Sequence, residues 1–284
     1  MTQKRALAIH DISCIGRCSI TVALPILSSV GVETAILPTA ILSTHTAGFE
    51  GYTYLDMASE MPAIGKHWKA LGEQFDAIYT GFLGSVEQID LVAQVFDDFR
   101  TEDNLILVDP VMADSGKLYP VFTQDMAVEM RKLCRKADLI IPNLTEAAFL
   151  LDEPYVGGDH DEAYIRELLK RLTDLGCSKT LLTGVSFCEG RLGAACFDAG
   201  KDEFSYHDGD YVDRIFHGTG DVFGSGLLSA LMNGFDLTEA MAVAVDYTRK
   251  CIEFTQKEGR PAHYGPCFEK ATPFLLERLG ICWE

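Results

Sequence analysis

The chain lacks both widespread phosphate-binding signatures. No Gly-x-x-x-x-Gly-Lys-Ser/Thr occurs, since Gly116-Lys117 is preceded by the wrong residues, and no Gly-x-Gly-x-x-Gly follows the first predicted strand. None of its nine cysteines forms a Cys-x-x-Cys pair, and an odd number with several in apolar runs argues for reduced thiols. His10, Cys14 and Cys18 match no standard zinc spacing. Apolar runs all fall short of a membrane span, and Met1 to Arg5 lead straight into a short strand rather than a signal-peptide core. Positive charge is scarce: 24 Lys and Arg against 42 Asp and Glu give a net charge of −18. That balance argues against nonspecific binding to nucleic acid or to an anionic membrane. A soluble, cytoplasmic protein is expected. With no linker, low-complexity tract or internal repeat, residues 1–284 are expected to form one domain.

A hydrophobic content of 48% supplies a sizeable core. Continuous apolar runs at Ala6–Ile9, Ala77–Thr80, Leu105–Val108, Leu139–Ile141 and Thr180–Thr183 read as buried strands, with a further strand at Thr34–Leu37. Between them lie helical patterns at Ser19–Val30, Val86–Phe99, Asp125–Arg135, Glu162–Leu175, Leu237–Lys257 and Phe268–Leu279, with a mixed helical stretch over Thr53–Leu71. Gly193–Phe197 and Glu203–His207 read as a hairpin. The alternation predicts an α/β fold, with a mostly parallel central sheet and helices on both faces. Ligands in such sheets sit beyond the carboxyl ends of the strands.

Phe216–Leu228 (Phe-His-Gly-Thr-Gly-Asp-Val-Phe-Gly-Ser-Gly-Leu-Leu) is the stretch with the most chemistry. Apolar positions after Asp221 recur at helical spacing, so a helix is expected to start there. Its free N–H groups and positive dipole end suit an anion, and Gly218 and Gly220 let backbone approach it closely. Asp221 would then stand where a carboxylate can take a proton from an attacking hydroxyl. A tight turn with Asp221 as a helix cap explains the same residues without chemistry.

Asp109, Asn143 with Glu146, and Thr183-Gly184 each follow a predicted strand. Asp109, Asp114 and Glu146 offer oxygen ligands for Mg²⁺, which takes only one or two carboxylates and keeps several waters. A strand-ending turn at Asp109-Pro110 and a first-turn helix acid at Glu146 are the structural readings of the same residues.

The segments Asp109-Pro-Val-Met-Ala-Asp-Ser-Gly-Lys-Leu-Tyr119, Pro142-Asn-Leu-Thr-Glu-Ala147 and Gly218-Thr-Gly-Asp-Val-Phe223, in this order, resemble the pyridoxal kinase branch of the ribokinase-like superfamily. His10–Ser19 and Ser43-Thr-His-Thr46 fit the same branch. The resemblance implies a ribokinase-like three-layer sandwich. It also implies ATP-dependent phosphorylation of the 5′-hydroxymethyl group of pyridoxal, pyridoxamine or pyridoxine, in vitamin B6 salvage. In that scheme Asp221 is the base and Gly218, Thr219 and Gly220 form the anion hole. Ser13, His45 and Thr46 lie on the substrate side. Asp109, Asn143, Glu146, Thr183 and Gly184 lie by the nucleotide, and Asp109, Asp114 and Glu146 by the metal. Asp114 to Tyr119 would form part of a flap that excludes water. ATP as co-substrate, Mg²⁺, a monovalent cation as a further candidate, and a homodimer come with the resemblance.

Two positions depart from that pattern. Ala113 stands where the branch often has glycine, and Thr44 replaces the more usual asparagine of Ser-Asn-His-Thr. Hydroxymethylpyrimidine kinase shares the fold and the Asp-Pro-Val-Met type of segment but usually carries Gly-Thr-Gly-Cys, whereas this chain has Asp221. A sugar kinase of the same superfamily would need an inserted β-lid near its start. A non-catalytic binder of vitamin B6 or nucleotide on the same scaffold would retain ligand without consuming ATP.

Overall fold

The computed structural model describes residues 3–158, 160–212 and 216–282; the Met1-Thr2 end of the predicted lead-in lies outside them. The strands are β1 (Arg5–Ser13), β2 (Glu33–Leu42), β3 (Tyr54–Asp56), β4 (Ala77–Thr80), β5 (Leu105–Val108), β6 (Ala113–Asp114), β7 (Lys117–Leu118), β8 (Leu139–Ile140), β9 (Lys179–Val185), β10 (Arg191–Asp198) and β11 (Glu203–Asp210). The helices are α1 (Ile20–Ser29), α2 (Met61–Leu71), α3 (Val86–Phe99), α4 (Gln124–Cys134), α5 (Leu144–Leu151), α6 (Glu162–Thr173), α7 (Thr219–Met232), α8 (Leu237–Glu258) and α9 (Thr272–Arg278).

Nine strands form one sheet in the order β11-β10-β9-β8-β5-β4-β1-β2-β3. The pairs from β9 through β8, β5, β4 and β1 to β2 are parallel, and both edges are finished by antiparallel strands. Strand alternation feeds two cores. Leu7 and Ile9 of β1 join α3 to α6 on one face, while Ala6 and Ala8 join α1, α7, α8 and α9 on the other. This is the three-layer α/β arrangement expected from the sequence, with the carboxyl ends of β1, β4, β5, β8 and β9 along one edge.

Local chemistry sets the helix starts. Ser85 Oγ accepts from Gln88 N at the head of α3, and Asp236 and Glu239 close a reciprocal capping box at the head of α8. α7 starts differently: its N-cap is Gly218 in a left-handed conformation, φ 84°. Gly226 lets α7 sit closely on α8, for a Cβ there would already lie 3.2 Å from Tyr247 Cδ1.

Four expectations change. β1 does not end at Ile9 but runs on through His10–Ser13, because β2 also extends and pairs with it past a register shift between His10 and Ile12. Pro38 is tolerated within β2 because β3 covers only Ala40–Leu42, leaving Pro38 at a sheet edge. The stretch predicted as mixed helix over Thr53–Leu71 divides into the edge strand β3 and α2, whose start is fixed by Pro62 in its first turn. α5 is a short helix that an eight-residue, almost wholly apolar segment did not reveal by periodicity. The C-terminal helix begins at Thr272, not Phe268, because Pro273 starts it.

Candidate active site

Asp221 lies in the first turn of α7, where the dipole favours a negative charge. Its Oδ2 accepts a hydrogen bond from Ser19 N at 2.8 Å and from the Cys18 thiol at 3.3 Å. Oδ1 lies 4.0 Å from His10 Nδ1. Burial raises the Asp221 carboxyl to about 6, against the pull of the Ser19 N–H and with nearby Asp11 adding to the rise. His10 is wholly buried, and burial lowers it to about 3, so it is neutral beside that acid.

The glycines of the stretch are set by close approaches. A Cβ on Gly218 would overlap the Arg17 carbonyl oxygen, and its φ of 84° already disfavours any other residue. An ideal Cβ on Gly220 would stand 3.7 Å from Asp109 Oδ2, so Asp109 reaches the start of α7. Thr219 turns its hydroxyl back to the Phe216 carbonyl at 3.2 Å.

Asp109 follows β5 and is buried, and its carboxyl is pushed well above the ordinary range by burial, then by the charges of Glu146 and Asp221. Glu146 is also raised, chiefly by burial, although three backbone N–H groups oppose the rise. Those bonds are structural in form. Glu146 Oε2 accepts from Asn143 N at 2.9 Å, Glu146 Oε1 accepts from Met112 N at 3.1 Å, and Asn143 Oδ1 caps Glu146 N at 2.9 Å. Asn143 Nδ2 donates to the Ala113 carbonyl at 2.8 Å. This capping box therefore ties the start of α5 to the Met112–Ala113 backbone and to the β6–β7 hairpin. Thr183 bridges to Asn143 and donates its N–H to the Pro142 carbonyl at 3.0 Å; Gly184 beside it is exposed, with φ 75°.

The substrate-side residues are placed less uniformly. Ser13 is buried and donates its hydroxyl to Asp11 Oδ2 at 2.8 Å. His45 accepts from Ala47 N through Nδ1, so its proton sits on Nε2 and is donated to the His263 carbonyl at 2.6 Å. Burial keeps it neutral, with His217 and His263 lowering it further. Thr46 is exposed on the same loop. Asp114 is exposed on the hairpin and accepts from Ser115 N.

Among the described residues no group of three His, Cys, Asp or Glu side chains converges in a geometry able to hold a metal ion alone. Asp109 and Glu146 are still a hard-oxygen pair whose mutual repulsion a divalent cation would relieve, and Mg²⁺ needs no more than that when phosphates complete its shell. Asp114, exposed on the hairpin, adds only its charge to the rise at Glu146. The sequence reading did not identify His10, Asp11, Ser19 or Tyr79 as parts of the site. Two polar residues inside the apolar run of β1 were the available signal for His10 and Asp11.

The model of the phosphomethylpyrimidine kinase family matches residues 22–266. The chain belongs to this family. Within the ribokinase-like superfamily, the neighbours carry both phosphomethylpyrimidine kinase and pyridoxal kinase names. A Bacteroides thetaiotaomicron protein that carries a phosphomethylpyrimidine kinase designation is 39% identical, with TM-score 0.93, covering 97% of this chain and 94% of that one. Another crystal form of it, with pyridoxal, aligns at 40% identity, TM-score 0.90 and 96% of each chain. Pyridoxal kinase from Lactobacillus plantarum is 28% identical, with TM-score 0.88 and 98% of each chain covered. By sequence, the thiamine biosynthesis bifunctional protein ThiED of Geobacter sulfurreducens is 28% identical over 83% of this chain. The chain spans 46% of that protein's length. The matched family is one of kinases; no helix among the described residues is long and apolar enough to cross a membrane.

Proposed function

We propose that this phosphomethylpyrimidine kinase family member transfers the γ-phosphoryl group of ATP to the 5′-hydroxymethyl group of a vitamin B6 vitamer. The observation that carries the reading is Asp221: a buried carboxylate at the head of α7, anchored through Oδ2, with an elevated proton affinity and glycines on its N-terminal side. A base with its pKa near 6 is ionised at neutral pH yet basic enough to accept the hydroxyl proton as the O–P bond forms. The γ-phosphoryl bond to ADP breaks as that bond forms, and the backbone N–H groups of Gly218 to Gly220 stabilise the charge on the group in flight. Asp109, with Glu146 behind it, would hold Mg²⁺, which neutralises phosphate charge when bound. The β6–β7 hairpin is suited to covering the site against water. Asn143, Thr183 and Gly184 would line the nucleotide side, and Ser13, His45 and Thr46 the vitamer side.

Two observations favour a B6 vitamer. Asp221 replaces the cysteine that hydroxymethylpyrimidine kinases usually carry there, and a 40%-identical relative was solved with pyridoxal. The family description and the Geobacter relative favour hydroxymethylpyrimidine as the second reading. The same proposal has residues 1–284 acting as one cytoplasmic kinase domain that dimerises.

A coupled assay with Mg·ATP and each of pyridoxal, pyridoxamine, pyridoxine and hydroxymethylpyrimidine, with products identified by mass spectrometry, decides between them. Phosphorylated B6 vitamers are expected. Turnover of the pyrimidine alone would move the protein to thiamine synthesis, and no turnover on any of the four would overturn the substrate assignment.

A further inference from the structure

Ser19 occupies a backbone conformation that ordinarily belongs to glycine. At φ 57° and ψ −130° it has the geometry of the first central residue of a type II′ turn, and it is buried. It stands at the N-cap of α1, yet its hydroxyl makes no capping bond there. Instead Oγ lies 3.4 Å from His10 Nδ1 and also serves the buried Asp11 carboxylate. Its N–H donates to Asp221 Oδ2 at 2.8 Å. Glycine would adopt this backbone without strain and keep that N–H. A serine here is explained by what its hydroxyl adds.

We propose that Ser19 is a positioning residue for Asp221: its hydroxyl, tied to the His10 and Asp11 side chains of β1, fixes the turn that aims its N–H at Oδ2 and leaves Oδ1 for the substrate hydroxyl. The surroundings hold both ends of this device. The Arg17 carbonyl oxygen is packed against Gly218 and Gly265, and Arg17 N donates to the Tyr264 carbonyl at 3.0 Å, so the loop before Ser19 is held between α7 and the C-terminal segment. Gly81 at the end of β4 leaves room for the His10 ring, which a Cβ there would overlap. Tyr79 meets the same ring edge to face at 4.6 Å. Two anchored elements thus converge on one carboxylate oxygen.

The inference rests on the reading of Asp221 as the base, and its test has one readout independent of any substrate. Ser19→Gly relieves the strained backbone, and Ser19→Ala keeps the strain without the hydroxyl. The groups in range of Asp221 are His10 and Asp11 of β1, Cys18, Tyr79 of β4 and Asp109 after β5. Carbon-13 NMR titration of the Asp221 carboxyl, assigned with Asp221→Asn, should move upward by about half to one pH unit in both variants, because the charged form loses a well-aimed donor. With the best of the four acceptors, kcat should fall about tenfold while KM for ATP and acceptor stays unchanged. Ser19→Gly should also melt no lower than the parent protein, so slower turnover cannot be ascribed to a weakened fold. An unmoved Asp221 titration in both variants overturns the positioning role, whatever happens to melting temperature. Failure of every acceptor with the parent protein overturns the substrate assignment instead, and leaves the titration as the test of the Ser19 geometry.

Discussion

Asp221 and Glu146 are both buried acids at helix starts, and burial raises the proton affinity of both. They differ in what their oxygens do. Glu146 has each carboxylate oxygen taken by backbone N–H groups, from Asn143 on one side and Met112 on the other. Asp221 has both of its hydrogen bonds on Oδ2, and none among the described residues on Oδ1. The first pattern is that of a brace joining α5 to the β6–β7 hairpin. The second leaves an acceptor in hand for a substrate proton. Acid, burial and helix start are thus not enough to tell a working carboxylate from a supporting one; the distribution of donors over the two oxygens is.

The largest effect should separate the two outright. Asp221→Asn is expected to lower kcat by about 10³-fold with little change in ATP affinity, measured by steady-state rates and calorimetric titration of nucleotide. Next comes Gly218→Ala, which places a Cβ against the Arg17 carbonyl and forbids the left-handed N-cap; kcat should fall about 100-fold as the head of α7 shifts. Glu146→Gln keeps the shape but turns an amide NH₂ toward part of the set of three backbone N–H donors. It should cost about 1–3 kcal/mol of stability in denaturant titration and no more than about tenfold in kcat. A loss in Glu146→Gln as large as in Asp221→Asn would break the distinction, and would make the share of Glu146 in holding Mg²⁺ beside Asp109 outweigh its part as a brace.

The smallest effect concerns stability. The folded protein holds the Asp221 proton up to about 6, above the unfolded value of 3.8, so it binds more protons than the unfolded chain between those values. This group's contribution is therefore full below that window and lost as pH rises through it. Asp221→Asn should remove that loss, so the inactive variant should be more stable than the parent at pH 8 by about 1–3 kcal/mol, and not at pH 4.

The same contrast explains what was legible in the sequence. Leu105–Val108 and Val86–Phe99 announced themselves by run length and period, and both hold to the residue. So did the placing of Asp109, Asn143 and Asp221 beyond strands or at a helix start. β3 was not legible, because three residues at a sheet edge, all exposed, carry no pattern of burial. Nor was the extent of α5, whose apolar residues show no clear period, although Glu146 marked its first turn. Within the site, Ser19 read only as a helix start; its role depends on a backbone twist and on partners at positions 10, 11 and 221. His45 was expected among the substrate contacts from a motif, and the structure shows both ring nitrogens engaged by Ala47 N and the His263 carbonyl, a pairing over 218 residues that no local signal carries.

The pH dependence of kcat tests the central claim most directly, measured for the parent protein and for Asp221→Asn with saturating Mg·ATP and the best acceptor. The parent should lose turnover below an acid limb near 6, set by Asp221, and the residual rate of Asp221→Asn should lack that limb. A limb that persists unchanged in Asp221→Asn would assign the base to another residue and contradict the account.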